Sequence, residues 1–285
     1  MEILKTVMIR SRCLMMMMAS LWACTSAAPP PPSIPAGHQS DKEKAVLEAM
    51  DRYLVAISAN DLQAMARAVT PKTKMIFVGN PNNPTGTVVR PSEMAAFMQA
   101  LPDDVIVVMD EAYIEYVPPE LVPDSLRHVR EVRSVVVLRT FSKIYGLAGL
   151  RIGYGIARPY LVELLDRARA PFNVNALAQR AALAALDDTR HVADSRRVNE
   201  QGKAYLSTEL DRLGLAYPRS AANFILVDVR RDGRAVAEAL LQEGVIVRPM
   251  GGRHLPTHIR VTIGTLNENK RFIKALRLAL RSKHD

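Results

Sequence analysis

Three short runs of apolar residues, each closed by polar ones, set the rhythm of the middle of this chain: Met75-Ile76-Phe77-Val78, Val105-Ile106-Val107-Val108-Met109 and Ser134-Val135-Val136-Val137-Leu138. They are continuous rather than alternating, the pattern of strands covered on both faces. Helical periodicity fills the intervals at about 91–101 and 158–169, and strand–helix alternation of this kind predicts a parallel α/β sheet. From about residue 175 the pattern changes to one long helix over 174–206, short strands near 223–228, 245–248 and 258–263, and helices near 232–243 and 266–282. We read 71–174 as a partial large domain and 175–285 as a smaller α+β domain. Upstream, Val46, Leu47, Met50, Leu54 and Ile57, then Leu62, Met65 and Val69 after an Asn60-Asp61 break, predict a helical segment over 41–70. No internal repeat is present.

The polar residues that close the strands carry the candidate chemistry. After the third strand comes Thr140-Phe141-Ser142-Lys143, then Gly146-Leu147-Ala148-Gly149-Leu150-Arg151. A lysine held in a hydroxyl-rich turn can attack an aldehyde, and the hydroxyls with the arginine can hold an anion. The second strand ends in Asp110, with Tyr113 three residues on. An aspartate at a strand tip is commonly a helix cap; beside a pyridine ring it would keep the ring nitrogen protonated. The first strand runs into Asn80-Pro81-Asn82-Asn83-Pro84-Thr85-Gly86, a rigid turn at a carboxyl end, where open α/β sheets seat their ligands.

Together these motifs resemble the pyridoxal-phosphate aminotransferases of fold type I, the aspartate-aminotransferase-like α/β fold, and within them the histidinol-phosphate aminotransferase group. The likeness covers about Thr70 to near the C-terminus. It implies that Lys143 is the Schiff-base lysine, Asp110 the partner of the pyridine nitrogen, and Asn83 and Tyr113 donors to the ring's phenolic oxygen. Arg151, Ser142 and Thr140 would bind the cofactor phosphate. Arg260, in His258-Ile259-Arg260-Val261-Thr262-Ile263-Gly264, matches the arginine at the amino-acid end of the substrate, and Arg248, in Val247-Arg248-Pro249, one that faces the substrate phosphate. A guanidinium suits such anions because it donates two parallel hydrogen bonds. Pro171-Phe172-Asn173-Val174-Asn175 and Ala222-Asn223-Phe224-Ile225-Leu226-Val227 resemble the family's domain linker and first small-domain strand, and read as architecture.

The resemblance further implies pyridoxal 5'-phosphate as cofactor, a small-molecule amino donor (histidinol phosphate, in histidine biosynthesis), 2-oxoglutarate as acceptor, a homodimer and a cytoplasmic location. Threonine-phosphate decarboxylase and a general amino-acid aminotransferase are alternatives within the group. A non-catalytic envelope lipoprotein is an alternative of another class.

Composition narrows this further. The net charge of +9 would suit nucleic acid, but aromatic residues are only 5% and the arginines are scattered, so no nucleic-acid partner is expected. The histidines show no ligand spacing, and no metal site is expected. The only cysteines, Cys13 and Cys24, lie near the N-terminus, so no structural disulfide is expected.

The head of the chain departs from the family. Residues 1–24, with Lys5, Arg10 and Arg12 before Leu14-Met15-Met16-Met17-Met18 and then Leu21-Trp22-Ala23-Cys24, read as a secretory signal in which Cys24 resembles a lipid-anchored cysteine. Residues 25–40, with Pro29-Pro30-Pro31-Pro32, read as a proline-rich tether, and 41–70 weakly resembles the opening of a SnoaL-like domain. The family's Gly-Ser phosphate-binding loop is expected ahead of Thr70, yet the first 70 residues contain a single glycine, Gly37. The sequence therefore reads as an N-terminally truncated aminotransferase joined to a lipoprotein-like head. That reading implies membrane association through Cys24 as the alternative location.

Overall fold

The computed structural model describes residues 5–10, 62–67, 69–131 and 134–281. Cys13, Cys24, the proline-rich stretch and most of the 41–70 segment lie outside the described residues.

The first sheet has five strands: β1 Lys5–Arg10, β2 Met75–Gly79, β3 Ile106–Asp110, β4 Val135–Thr140 and β5 Ile152–Ala157, in the spatial order β1-β5-β4-β3-β2. β2, β3 and β4 are parallel, but β5 runs antiparallel to β4, and β1 antiparallel to β5. The sheet is thus mixed, where the sequence pattern had pointed to a parallel one. β4 and β5 are joined by a compact turn, with Leu147 N–H donating to Phe141 O (2.9 Å) and Phe141 N–H to Ile152 O (3.2 Å). A direct turn of this kind reverses the chain, whereas a parallel neighbour needs a crossover.

Side-chain alternation explains the continuous apolar runs. Val107, Met109, Val135 and Val137 face a core shared with α1 Leu62–Arg67, α2 Pro91–Ala100 and α3 Ser125–Arg130. Val108, Val136 and Leu138 face the other side and pack with Leu161 and Val162 of α4 Pro159–Ala168. Both faces are dry, so neither register of the alternation can be polar until the strands end.

The segment expected as one helix is two, α5 Ala176–Asp187 and α6 Thr189–Arg212. Asp188 closes one and caps the other, its side chain accepting from His191 N–H at 2.9 Å. α5 packs Ala178 and Ala182 on Phe141 and Ile152, against the first sheet. The second sheet has the order β6-β8-β7, from β6 Phe224–Asp228, β7 Arg248–Pro249 and β8 His258–Thr262, all antiparallel neighbours. α6, α7 Gly233–Gln242 and α8 Leu266–Arg281 cover it with a core that includes Leu206, Leu210, Leu240, Phe272 and Leu276.

α6 passes the end of β8 so closely that a Cβ on Gly202 would lie 2.6 Å from Ile263 Cγ2 and 2.7 Å from Asn269 Nδ2. Gly202→Ala would gain about 1 kcal/mol of helix propensity, but overpacking of this kind costs about 1–3 kcal/mol. We expect a net loss of stability, read as a lower thermal midpoint.

Candidate active site

The candidate residues stand at the carboxyl ends of β2, β3 and β4 and on β8 of the second sheet. The last turn of β3 sets their division between faces. Asp110 continues the Val108 side and Glu111 the Met109 side; at the tip of β4, Thr140 continues the Leu138 side and Arg139 the Val137 side. One face of the strand tips therefore carries Asp110 and Thr140, and the opposite face Glu111 and Arg139.

Lys143 sits half-buried in the turn after β4, its Nζ 5.1 Å from the centre of the Tyr113 ring. Its carbonyl accepts from Gly146 N–H at 3.0 Å, which closes the turn. Burial and the nearby charges of Arg260 and Arg151 hold the amine below the usual lysine range, opposed by Asp110. A lysine so placed is neutral, hence nucleophilic, at a lower pH than a surface lysine. Asp110 is pushed the other way: burial raises its carboxyl, while the Ala112 N–H (3.1 Å to Oδ1) and Lys143 pull it down. A cationic N–H opposite Asp110 would hold its charge.

Tyr113 is buried and meets Phe224 of β6 edge to face, ring centres 5.2 Å apart. Burial raises its hydroxyl to about 12, against the pull of Arg260, so it remains a hydrogen-bond donor at neutral pH. The Arg260 guanidinium lies 4.8 Å from the centre of the same Phe224 ring and donates from Nη1 to Asn83 Oδ1. With its oxygen thus engaged, the Asn83 amide has Nδ2 to offer as a donor. The Asn83 loop is itself fixed to the second sheet's approach: Ala221 N–H donates to Gly86 O at 2.7 Å. Gly86 has φ +74, and a Cβ there would meet Ser220 Oγ at 2.1 Å, so only glycine allows this contact.

The anion-binding candidates form a second group. Thr140 Oγ1 accepts from Ser142 N–H at 3.0 Å, and Arg151 Nη1 reaches Ser142 Oγ at 3.5 Å and Ala148 O at 2.7 Å. Arg151 is in the left-handed region (φ 53), which turns the chain from the short 3-10 helix Ala148–Leu150 into β5. Arg248 is exposed on β7 and is the cross-strand partner of Arg260. Burial, and the charges of Arg248 and Arg253, lower Arg260, opposed by Tyr113. The geometry thus brings Asp110, Tyr113, Lys143, Asn83 and Arg260 together. Thr140, Ser142 and Arg151 adjoin them, and Arg248 lies on the outer strand beside Arg260.

Sequence reasoning had read Phe224 as architecture, whereas it is the platform that seats both Tyr113 and Arg260. Arg253, in the connection between β7 and β8, and His191, whose Nε2 lies 2.9 Å from Ile144 O beside Lys143, had no signal at all. Among the described residues no cluster of potential metal ligands occurs, and no helix is long and apolar enough to cross a membrane.

The family model for aminotransferase class I and II matches residues 36–276. The chain is similar to histidinol-phosphate aminotransferase of Moorella thermoacetica, 55% identical over 219 residues, which cover 76% of this chain and 57% of that relative. It is also similar to histidinol-phosphate aminotransferase 1 of Nitrosococcus oceani, at 52% over 221 residues, 78% of this chain and 60% of that relative. The chain therefore spans about six tenths of the length of these curated relatives. Among solved structures, histidinol-phosphate aminotransferase of Sinorhizobium meliloti in complex with pyridoxal-5'-phosphate superposes with a TM-score of 0.72 and 32% identity, over 78% of this chain and 61% of that one. L-threonine-O-3-phosphate decarboxylase of Porphyromonas gingivalis gives 0.66 and 25%, over 74% and 66%.

Proposed function

The chain belongs to the class I and II aminotransferase family and has its fold type I architecture, and from this premise we propose that it is a pyridoxal-phosphate-dependent transaminase. Its proposed donor is histidinol phosphate and its proposed acceptor 2-oxoglutarate. The observation that carries the proposal is the convergence of Lys143, Asp110, Tyr113 and Asn83 from the ends of three strands of the first sheet with Arg260 from β8 of the second.

The residues present fit the cofactor. A buried carboxyl raised by desolvation needs a cationic partner, an amine held low in pKa is ready for an aldehyde, and Thr140, Ser142 and Arg151 make a donor set for a phosphate. When bound, the cofactor supplies an electron sink for the charge that develops at the substrate's Cα. Asp110 would accept the ring N–H and keep that nitrogen protonated. Asn83 Nδ2 and the Tyr113 hydroxyl would donate to the phenolic oxygen. Lys143 would hold the cofactor through Nζ and, once free, would serve as the base that takes the proton from the substrate's Cα. Arg260 takes the α-carboxylate of 2-oxoglutarate, and Arg248 faces the phosphate of the donor. Support for a phosphorylated donor comes from the relatives' names and from the adjacency of Arg248 and Arg260.

Arg260→Lys keeps a charge but loses the planar fork and the bond to Asn83. We expect KM for 2-oxoglutarate to rise about 10- to 100-fold, the loss of a charge-assisted bidentate contact, with a smaller change in kcat. The substrate itself is tested by incubating the cofactor-loaded chain with histidinol phosphate and following glutamate formation from 2-oxoglutarate. Glutamate with histidinol phosphate, and none with aspartate or aromatic amino acids, supports the proposed donor. Carbon dioxide release from threonine phosphate without glutamate would move the reading to the decarboxylase.

A further inference from the structure

Behind the site, on the face away from Asp110, lies a buried ion pair that the proposed chemistry does not use. Arg139 Nε donates to Glu111 Oε2 at 2.8 Å, and the Glu111 side chain is only 1% exposed. Glu111 is the residue after Asp110, and Arg139 the residue before Thr140, so each partner is bonded through the chain to a residue of the candidate site. The backbone reinforces the link: Glu111 N–H donates to Leu138 O at 2.9 Å, which draws the tips of β3 and β4 together. Arg139 is also the cross-strand neighbour of Tyr154 on β5 and hydrogen-bonds its hydroxyl. One guanidinium therefore joins residues of three adjacent strands.

We propose that Arg139 is a positioning residue for Asp110, cancelling the charge of Glu111 behind it and clamping the tips of β3 and β4 in register. The proposal rests on the reading of the site given above, which assigns Asp110 its task. The physical ground is that two buried carboxyl groups stand on adjacent residues, on opposite faces of one strand tip. Glu111 acts on Asp110 electrostatically, in the direction that disfavours its charge. Without a cation on Glu111, the two carboxylates would compete for ionisation across a poorly solvated strand tip. Glu115, Tyr145 and Arg196 complete the titratable and charged groups around the pair. Burial holds Glu115 up at about 7, and its Oε2 has no hydrogen-bond partner. Glu115 is therefore a poor replacement counter-charge for Arg139, and it adds negative charge when ionised.

Two substitutions separate positioning from mere structural support because they shift Asp110 in opposite directions. Arg139→Met leaves Glu111 uncompensated and should raise the Asp110 midpoint by about one pH unit, an ordinary size for a neighbouring charge in a poorly solvated site. Glu111→Gln keeps a hydrogen-bond acceptor for Arg139 but removes the negative charge, and should lower the midpoint. Arg139→Lys should stay near the wild type. The midpoint is read by carbon-13 NMR titration of labelled aspartate in the full chain without added cofactor, with Asp110→Asn giving the assignment. In the cofactor-loaded protein, Arg139→Met should lower kcat about 10-fold with little change in KM, since a misplaced ring partner acts on the transition state more than on binding. Opposite shifts sustain the proposal. Unchanged midpoints, or shifts of the same sign, would overturn it even if both variants lose stability. Should Arg139→Met fail to fold, the sign of the Glu111→Gln shift decides. A wild-type chain that takes no cofactor would defeat the transaminase reading instead, and the carboxyl shifts would still report on the pair.

Discussion

Lys143→Ala is expected to abolish turnover without unfolding the protein. In the proposed chemistry the same nitrogen holds the cofactor and later moves the Cα proton. Loss of a positioned acid–base group alone removes about 10²- to 10⁴-fold in rate, and loss of the covalent attachment adds to it, so kcat should fall by at least about 10⁴-fold. Stability should not fall with it. The folded state holds the Lys143 amine below its ordinary value through burial, Arg260 and Arg151. A lysine depressed on folding binds its proton less tightly in the folded chain, so its ammonium opposes folding at neutral pH and the opposition fades as pH rises. Alanine removes that opposition. Lys143→Arg keeps a charge that cannot be titrated away and should be as inactive as Lys143→Ala, but less stable. Steady-state assays together with thermal melts of the three proteins check both halves. A near-normal rate in either variant would end the assignment.

Asp110→Asn should likewise trade activity against stability. An amide cannot keep the ring nitrogen protonated, so the electron sink weakens, and we expect a fall in kcat of about 10²- to 10⁴-fold, the scale of removing a key electrostatic partner of the transition state. The cofactor-free protein should behave oppositely. Burial raises the Asp110 carboxyl in the folded state, so the folded chain binds that proton more tightly than the unfolded chain. The stability it contributes is fully present below the unfolded pKa and is lost as pH rises through the raised folded value. A neutral asparagine has no such loss. Thermal midpoints taken from acid to neutral pH should show the variant gaining on the wild type as pH increases. A wild-type melting profile that tracks the variant throughout would contradict this.

Much of the architecture was legible because its strands are covered on both sides. Val107-Val108-Met109 and Val135-Val136-Val137 have no polar position to confuse the period, and the residues closing them, Asp110, Thr140 and Lys143, were found at the strand ends where the motifs placed them. β5 was not legible. Ile152-Gly153-Tyr154-Gly155-Ile156 alternates glycine with larger residues, and its pairing with β4 depends on how the 141–151 turn closes rather than on local propensity. The break between α5 and α6 was overlooked because Asp187-Asp188-Thr189 interrupts an otherwise continuous helical period, and only the cap from Asp188 to His191 marks it. The strand expected over 245–248 reduces to Arg248–Pro249: Val245 N–H turns back to Leu240 O, so the residues after Gly244 finish the helix instead of joining the ladder.

The site divides in the same way. Residues identified by motif stand at strand tips, where position along the strand decides which face they take. Phe224 and the Glu111–Arg139 pair were hidden because their roles come from contacts across elements far apart in sequence. A phenylalanine opening a strand looks like core until an arginine and a tyrosine from other elements are seen against it. Arg139 looks like one of many arginines until its partner is found 28 residues upstream.

The most direct test of the account is to add pyridoxal 5'-phosphate to the purified full chain, record its visible spectrum, reduce with borohydride and map the modified peptide by mass spectrometry. The account predicts a visible band that bleaches on reduction, with the pyridoxyl group on Lys143. A colourless protein, or label scattered over surface lysines such as Lys74 and Lys270 while Lys143 stays bare, would contradict it.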